Sequence, residues 1–288
     1  MFEIIYRFDP TSLNTYKSPD TADEARRQLE AGNRQFAELT DPILGQVKSA
    51  PFVIESDSRA FAWDTSSGEA PRQAPFAAVL ACSDARVPTE LVFGSGCNQL
   101  FVVRVAGNIL GTECLGSIRY AVQNFPKTLK LVVILAHARC GAVTEAVDVY
   151  IEPRRYIKIA TNHPVRSLAD QILVAVRVGA MTMELVYGTG VSQRPGYRDA
   201  LIEASVVLNA AWSAYCMQEE FRIDRTDIGV AFGIYDLVSR HVRLPLSLPG
   251  ALTEDEIGLF APPKSAEEFR ELSIRVCSGS LVAKHLAV

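Results

Sequence analysis

Two short stretches carry side chains that could do chemistry together. In VLACSDARVPTE (79–90), Cys82, Asp84 and Arg86 stand at alternate positions, so an extended chain would point all three the same way. In LVVILAHARCGA (131–142), His137 and Cys140 close a second apolar run. Two cysteines and a histidine make a catalytic type of zinc sphere, with the fourth tetrahedral position left for water or substrate. Thiolate and imidazole donors favour zinc over magnesium or calcium. Zinc lowers the pKa of bound water, so such a site supplies a hydroxide nucleophile near neutral pH. Two thiolates cancel the formal charge of Zn2+, which predicts a less acidic water than three histidines would give and an activity that favours alkaline pH. Asp84, two residues from a ligand, can accept the hydroxide's proton as a hydrogen bond and aim its lone pair. Arg86 can hold Asp84 ionised through a bidentate pair. Plainer readings compete. A cysteine at a strand end is often a small core residue, and a surface Asp–Arg pair is worth little. A structural zinc more often shows two close ligand pairs, whereas here only His137 and Cys140 are close.

These residues need a frame that brings distant stretches together. PFAAVLAC (75–82), QLFVVRVAG (99–107) and LKLVVILAH (129–137) are short, apolar and bounded by turn or polar residues, which predicts buried strands. Between the second and third, 112–124 has helical spacing, and PTELVFGSG (88–96) has room for one or two helical turns. Strand–helix–strand alternation with fully apolar strands predicts an α/β fold with a mainly parallel sheet flanked by helices. Ligand sites in such sheets gather at the carboxyl ends of strands, where Cys82 and His137 fall.

Around this centre, Thr21 and Glu24 form a capping-box pattern opening a helix over 21–39, with Leu29, Phe36 and Leu39 as a thin apolar stripe. Residues 1–20, with the turn signals Asp9-Pro10 and Ser18-Pro19, read as irregular, and 40–72 as a long connection with short helical pieces at most. Helices are predicted over 141–151, 166–188 and 197–221, then a strand, a turn and a short strand over 227–244. The tail opens at Pro245 and Pro249 and holds a helix near 264–275. One domain covers 1–288: an amino-terminal helical arm and connection (1–72), a catalytic core (73–244) and a carboxy-terminal extension (245–288). There is no internal repeat.

Composition narrows the partners. The chain has 288 residues, 48% hydrophobic and 22% charged, with a formal net charge of −4. That balance gives no electrostatic case for nucleic acid or a polybasic membrane surface. Apolar runs such as LKLVVILAHA fall short of the roughly 20 residues of a membrane span, and the start lacks the pattern of a secretory signal. The expectation is a cytoplasmic protein. Six cysteines in a chain of this length do not form a disulfide scaffold. Cys97, Cys114, Cys216 and Cys277 read as structural thiols, and His163, His241 and His285 as surface residues. Gly94-Ser95-Gly96 precedes a strand and lacks the third glycine of a dinucleotide loop.

The ordered set C-S-D-A-R-V, F-V-V-R-V-A-G-N, S-I-R-Y-A-V and H-A-R-C-G over about 73–143 closely resembles the β-class carbonic anhydrases. EAGNRQFAEL (30–39) resembles their amino-terminal helix and GVAFGIYDL (229–237) their late edge strand. The resemblance implies that Cys82, His137 and Cys140 bind Zn2+ and that Asp84 and Arg86 form the dyad beside it, with Asp84 able to swing in as a fourth ligand. It implies a lyase that interconverts CO2 and bicarbonate through zinc-bound hydroxide. It implies a homodimer, or a dimer of dimers, whose amino-terminal helices pack on the partner and whose pocket lies near the interface. Gln73, Phe101 and Tyr120 match pocket residues of the plant-type branch. Val79 stands where the bicarbonate-regulated branch carries tryptophan, which favours an open, water-ligated site. Gly141, grouped with Gln73, Phe101 and Tyr120 as substrate-binding, is expected to permit the tight turn from Cys140 into a helix. The family pattern is altered at Ala85, Val105, Ala136, Ala138 and Ala142, which bears on pocket polarity and rate rather than on the ligands. Two rivals use the same residues: a hydrolase of a CO2-like molecule such as carbonyl sulfide or carbon disulfide, and a non-catalytic zinc-stabilised assembly subunit. A cysteine hydrolase using Cys140 and His137 lacks an accompanying acid or oxyanion element.

Overall fold

The computed structural model describes residues 3–8, 17–41, 46–47, 51–61, 68–224, 227–248 and 253–287. Asp9-Pro10 and Pro249 lie outside them.

The sheet predicted from three apolar runs has five strands in the order β6-β5-β7-β8-β9. These are β5 (Ala77–Ala81), β6 (Leu100–Arg104), β7 (Leu131–His137), β8 (Gly229–Tyr235) and β9 (Val242–Arg243). The first four are parallel and β9 closes the edge antiparallel to β8. The fold is therefore α/β, with a mainly parallel sheet flanked by helices. All seven residues of β7 are buried, as expected for a strand covered on both faces. Alternation sorts the side chains. Ala78, Leu80, Val132, Ile134 and Ala136 face a core built with helices α3 (Thr112–Asn124), α4 (Gly141–Ile151), α6 (His163–Tyr187) and α7 (Tyr197–Asp224). Ala77, Val79, Ala81, Leu131, Val133 and Leu135 face the other way, onto Ala25, Leu29 and Phe36 of α1 (Ala22–Ala37). The capping pattern is realised: Thr21 Oγ1 accepts from Glu24 N–H at 3.2 Å, and the Glu24 carboxylate accepts from Asp20 N–H at 2.8 Å. A single helical turn, α2 (Thr89–Val92), links β5 to β6.

Several elements depart from the sequence expectations. Residues 1–20 are not all irregular: β1 (Ile4–Phe8) pairs in parallel with β4 (Phe52–Ser56) from the expected long connection. The partner strands lie far apart in sequence, so neither shows a local hairpin signal. A two-residue ribbon joins β2 (Thr40–Asp41) to β3 (Gln46–Val47). A short helix, α5 (Pro153–Ala160), precedes α6, which starts at His163 with Pro164 in its first turn. The tail holds two helices, α8 (Ala266–Ser278) and α9 (Ser280–Leu286), rather than one. Contrary to the reading that apolar stretches fall short of a membrane span, Tyr197–Ile223 of α7 is long and apolar enough. Yet 72% of that window is buried inside the protein, and a helix apolar all round belongs in such a core.

Candidate metal centre

β5 and β7 are neighbours in the sheet, so their carboxyl ends bring Cys82 and His137 together. Arg139 adopts φ 56°, in the left-handed region, and turns the chain so that Cys140 becomes the N-cap of α4. Gly141 does not make this turn. Its φ is not positive and a Cβ there would meet nothing within 4 Å, so the expected role passes to Arg139.

The Sγ atoms of Cys82 and Cys140 lie 3.9 Å apart. With a ring nitrogen of His137, the three donor atoms lie within 4.8 Å of one another, all on buried residues. His137 Nδ1 stands 3.0 Å from the Ala138 carbonyl oxygen, so it carries the proton and donates it there. Nε2 is left with a bare lone pair, buried and without a partner among the described residues. A buried imidazole nitrogen facing two thiols calls for a cation. The spacing suits zinc: Zn–S bonds of about 2.3 Å at a tetrahedral angle require sulfurs about 3.8 Å apart. The electrostatics agree. Cys82 is pushed down chiefly because its sulfur accepts from Cys140, with the backbone N–H groups of Asp84 and Gly107 adding to it. Cys140 is pushed up by its bond to Cys82, by burial and by the neighbouring negative charge. The pair thus shares one proton, and a dication would let both thiols ionise.

The shell around the donors is built by the segment after β6. Gly107 N–H donates to Cys82 Sγ at 3.3 Å, and Asn209 of α7 donates to the Gly107 carbonyl at 2.8 Å. Gly107 has φ 71° and ψ 15°, and an added Cβ would lie 2.8 Å from Ile172 Cδ1. Only glycine fits there without strain. Arg104 donates through Nε to the Cys82 carbonyl at 3.0 Å and also to the Asp84 carbonyl.

Asp84 and Arg86 meet as a fork. Arg86 Nε and its backbone N–H each reach Asp84 Oδ1 at 2.9 Å, and Nη2 reaches Oδ2 at 2.7 Å. These bonds hold the Asp84 carboxyl well below the usual carboxylate range. Asp84 Oδ2 stands 3.7 Å from His137 Nε2, beside the donor cluster but not in it.

Beside the dyad lies a cavity of about 310 Å3 lined by Arg86, Ala138, Arg139, Glu203, Asp236 and Arg243, among others. Arg243 is 1% exposed. It donates through Nε to Asp236 Oδ2 at 3.1 Å and lies 3.6 Å from Glu256 Oε2. Sequence reasoning missed Glu203, Asn209 and this buried ion cluster. Asp236 stood in the quoted GIYDL motif, but nothing local marked its partners.

Three expected pocket residues lie elsewhere in this chain. Phe101 pairs in register with Ala78, near the opposite end of the sheet from Cys82. It packs with Tyr120 and Phe125, their ring centroids 6.1–6.4 Å apart, and Tyr120 is exposed. Gln73 is exposed on the segment leading into β5. None of the three lines the cavity beside Arg86. His163 is exposed as expected, whereas His241 and His285 are half-buried rather than surface residues. All six cysteines are free.

The carbonic anhydrase family model matches residues 77–186, a span that contains Cys82, Asp84, Arg86, His137 and Cys140. Carbonic anhydrase 2 of Mycobacterium tuberculosis is 43% identical over 86 residues, which cover 29% of this chain and 40% of that protein. The carbonic anhydrase of Mycolicibacterium smegmatis is 45% identical over 71 residues, covering 25% of this chain and 34% of that one. This chain thus matches well under half the length of these curated relatives. Among solved structures, the β-carbonic anhydrase CcaA superposes on 60% of this chain and 80% of its own, with 22% identity and a TM-score of 0.46.

Proposed function

We propose that this chain, with its carbonic anhydrase segment at 77–186, is a zinc lyase that interconverts carbon dioxide and bicarbonate. The observation that carries the reading is the unpartnered, buried Nε2 of His137 facing the two thiols of Cys82 and Cys140, one residue pair away from a fork-bound Asp84–Arg86. Zinc held by those three atoms would supply a Lewis acid that turns water into a nucleophile near neutral pH.

The chain's own residues do the rest. His137 Nδ1–H, fixed on the Ala138 carbonyl, keeps Nε2 aimed at the two sulfurs. Gly107 N–H steadies the Cys82 sulfur as a thiolate. Asp84 Oδ2 is the carboxylate oxygen nearest the donor cluster, so it accepts the O–H of the attacking water and directs a lone pair at carbon. Arg86 keeps Asp84 ionised and occupied, which favours the open form of the site over one closed by Asp84. Val79 is fully buried and carries no bulky aromatic group that would favour closure.

The same reading covers assembly. Phe101 stands four register positions before the strand end that bears Cys82, a span of roughly 13 Å. Gln73 precedes the strand altogether. In this proposal Gln73, Phe101 and Tyr120 line the pocket of a neighbouring copy in a dimer or dimer of dimers. The protein is a single zinc-enzyme domain working in the cytoplasm, its 1–72 arm packing on a partner and its 245–288 extension closing the cavity beside Arg86.

Metal analysis together with stopped-flow CO2 hydration, on the wild type and Asp84→Asn, tests this. One zinc per chain in both proteins and a large loss of rate in the variant are expected. Parallel assays with carbonyl sulfide and carbon disulfide would show whether a CO2-like substrate is preferred. Zinc-loaded protein with no hydration above buffer would sink the enzymatic reading and leave a zinc-stabilised subunit.

A further inference from the structure

Each CO2 hydrated releases one proton, which must leave the site before the next turnover. The cavity beside Arg86 offers few groups that could carry it. Both oxygens of Asp84 are engaged by Arg86. Asp236 gives Oδ2 to Arg243 and Oδ1 to the backbone N–H groups of Val238 and Ser239. Arg86, Arg139 and Arg243 are guanidinium groups that do not deprotonate. Glu203 is the remaining carboxylate on the cavity wall, and it forms no hydrogen bond or ion pair with the described residues. It projects from the buried helix α7, between Val206, Ile234 and Leu281 on the same wall. The charged and titratable groups around it are Lys284 and His285 of α9, Arg139 of the turn after β7, and Asp236. Burial outweighs the nearby cations and raises the Glu203 carboxyl above its ordinary value.

Resting on the reading of the site as a carbonic anhydrase, we propose that Glu203 is the group through which the reaction's proton leaves. The proton released at the reacting water passes through water in the cavity to a Glu203 carboxylate oxygen, forming a carboxylic acid. The acid then gives the proton to a dissolved buffer base, which becomes its conjugate acid, and the carboxylate is restored. No electrons change hands.

The test uses the zinc-loaded whole chain and stopped-flow CO2 hydration at low and high imidazole concentration, with kcat and KM resolved, beside infrared pH titration of the carboxyl bands. A band that titrates above the ordinary carboxylate range and is lost in Glu203→Gln is expected, and its absence would overturn the proposal. Wild-type kcat is expected to change little with imidazole. In Glu203→Gln, kcat at low imidazole should fall about tenfold or more, kcat/KM should hold within about twofold, and high imidazole should restore kcat, as for loss of a proton-transfer group. Glu203→Asp, which keeps a carboxylate on the wall, should lie between the two at low imidazole. Equal kcat in Glu203→Gln and wild type at low imidazole would overturn the proposal. So would a parallel loss of kcat and kcat/KM that imidazole does not repair, which is the mark of a structural role. If the zinc-loaded wild type hydrates no CO2 in either buffer, the reading of the site falls and this inference with it.

Discussion

Replacing Gly107 by alanine measures how tightly the segment after β6 governs the donor cluster. Gly107 sits at φ 71° and ψ 15°, in the left-handed region that costs an L-residue about 1–2 kcal/mol. Its new Cβ would lie 2.8 Å from Ile172 Cδ1 and 3.2 Å from Ala142 Cβ. Overpacking of this kind costs about 1–3 kcal/mol, and the end of a flexible isoleucine can yield, so the lower half of that range applies. The total is about 2–4 kcal/mol, a large share of a typical stability of about 5–15 kcal/mol. The strain falls on a residue whose N–H donates to Cys82 Sγ and whose carbonyl is held by Asn209. Disturbing such a supporting contact typically weakens metal binding about 10–100-fold. Gly141→Ala is the control. A Cβ there meets nothing within 4 Å at the first position of α4, so it should be neutral or stabilising by up to about 1 kcal/mol. Urea unfolding of the zinc-loaded proteins reads the stability, and competition with a chromophoric chelator reads the affinity. A Gly107→Ala protein as stable as wild type would refute the strain argument. A destabilised protein with unchanged zinc affinity would refute the link between this segment and Cys82.

Three further outcomes are expected. Asp84→Asn should keep its zinc and lose CO2 hydration by about 10²–10⁴-fold, because the carboxylate that orients the nucleophile is gone while all three donors remain; stopped-flow rates and metal content decide it. Zinc uptake near pH 7 should release fewer than two protons from the thiol pair, because the bond from Cys140 to the Cys82 sulfur lowers the Cys82 pKa. Calorimetric titration in buffers of different ionisation enthalpy counts them, and two thiol protons would contradict the geometry. Arg243→Met strands the carboxylates of Asp236 and Glu256 in the interior and should cost about 3–5 kcal/mol at neutral pH. Stranded carboxyls have raised pKa values, so the folded variant binds protons more readily than its unfolded chain, and the deficit should shrink as pH falls. Urea midpoints at pH 7 and pH 5 would show no such narrowing if the ion cluster were idle.

The donor cluster was legible because its geometry is set by local rules. Apolar runs of five to seven residues read as buried strands, the helix between them makes them parallel, and parallel neighbours end on the same side. Cys82 and His137 follow from that alone, and Cys140 follows from being three residues on. The turn that aims Cys140 was assigned to the wrong residue. Gly141 looked like the pivot because glycine is the usual left-handed residue, yet the chain places Arg139 there. Left-handed backbone at a non-glycine position is rare enough that no sequence rule would have chosen it.

What escaped the sequence is held by long-range pairing. β1 finds β4 across the whole of α1, and neither strand alternates cleanly enough to advertise a partner. Arg243 reads as one more charged residue near a strand end until Asp236 and Glu256 are seen closing on it in the interior. Glu203 sits in a helix whose neighbouring positions are so apolar that a carboxylate there looks like its solvent face. Burial decides otherwise. α7 packs against β7, β8 and α9, which brings Lys284 and His285 of α9 and Arg139 of the turn after β7 near Glu203. A charged residue on a helix apolar nearly all round therefore has two readings, and only the packing of later elements chooses between them. Here those elements are the tail helices, which resemble nothing in the quoted motifs and yet set the surroundings of Glu203, a carboxylate on the cavity wall with no hydrogen bond or ion pair among the described residues.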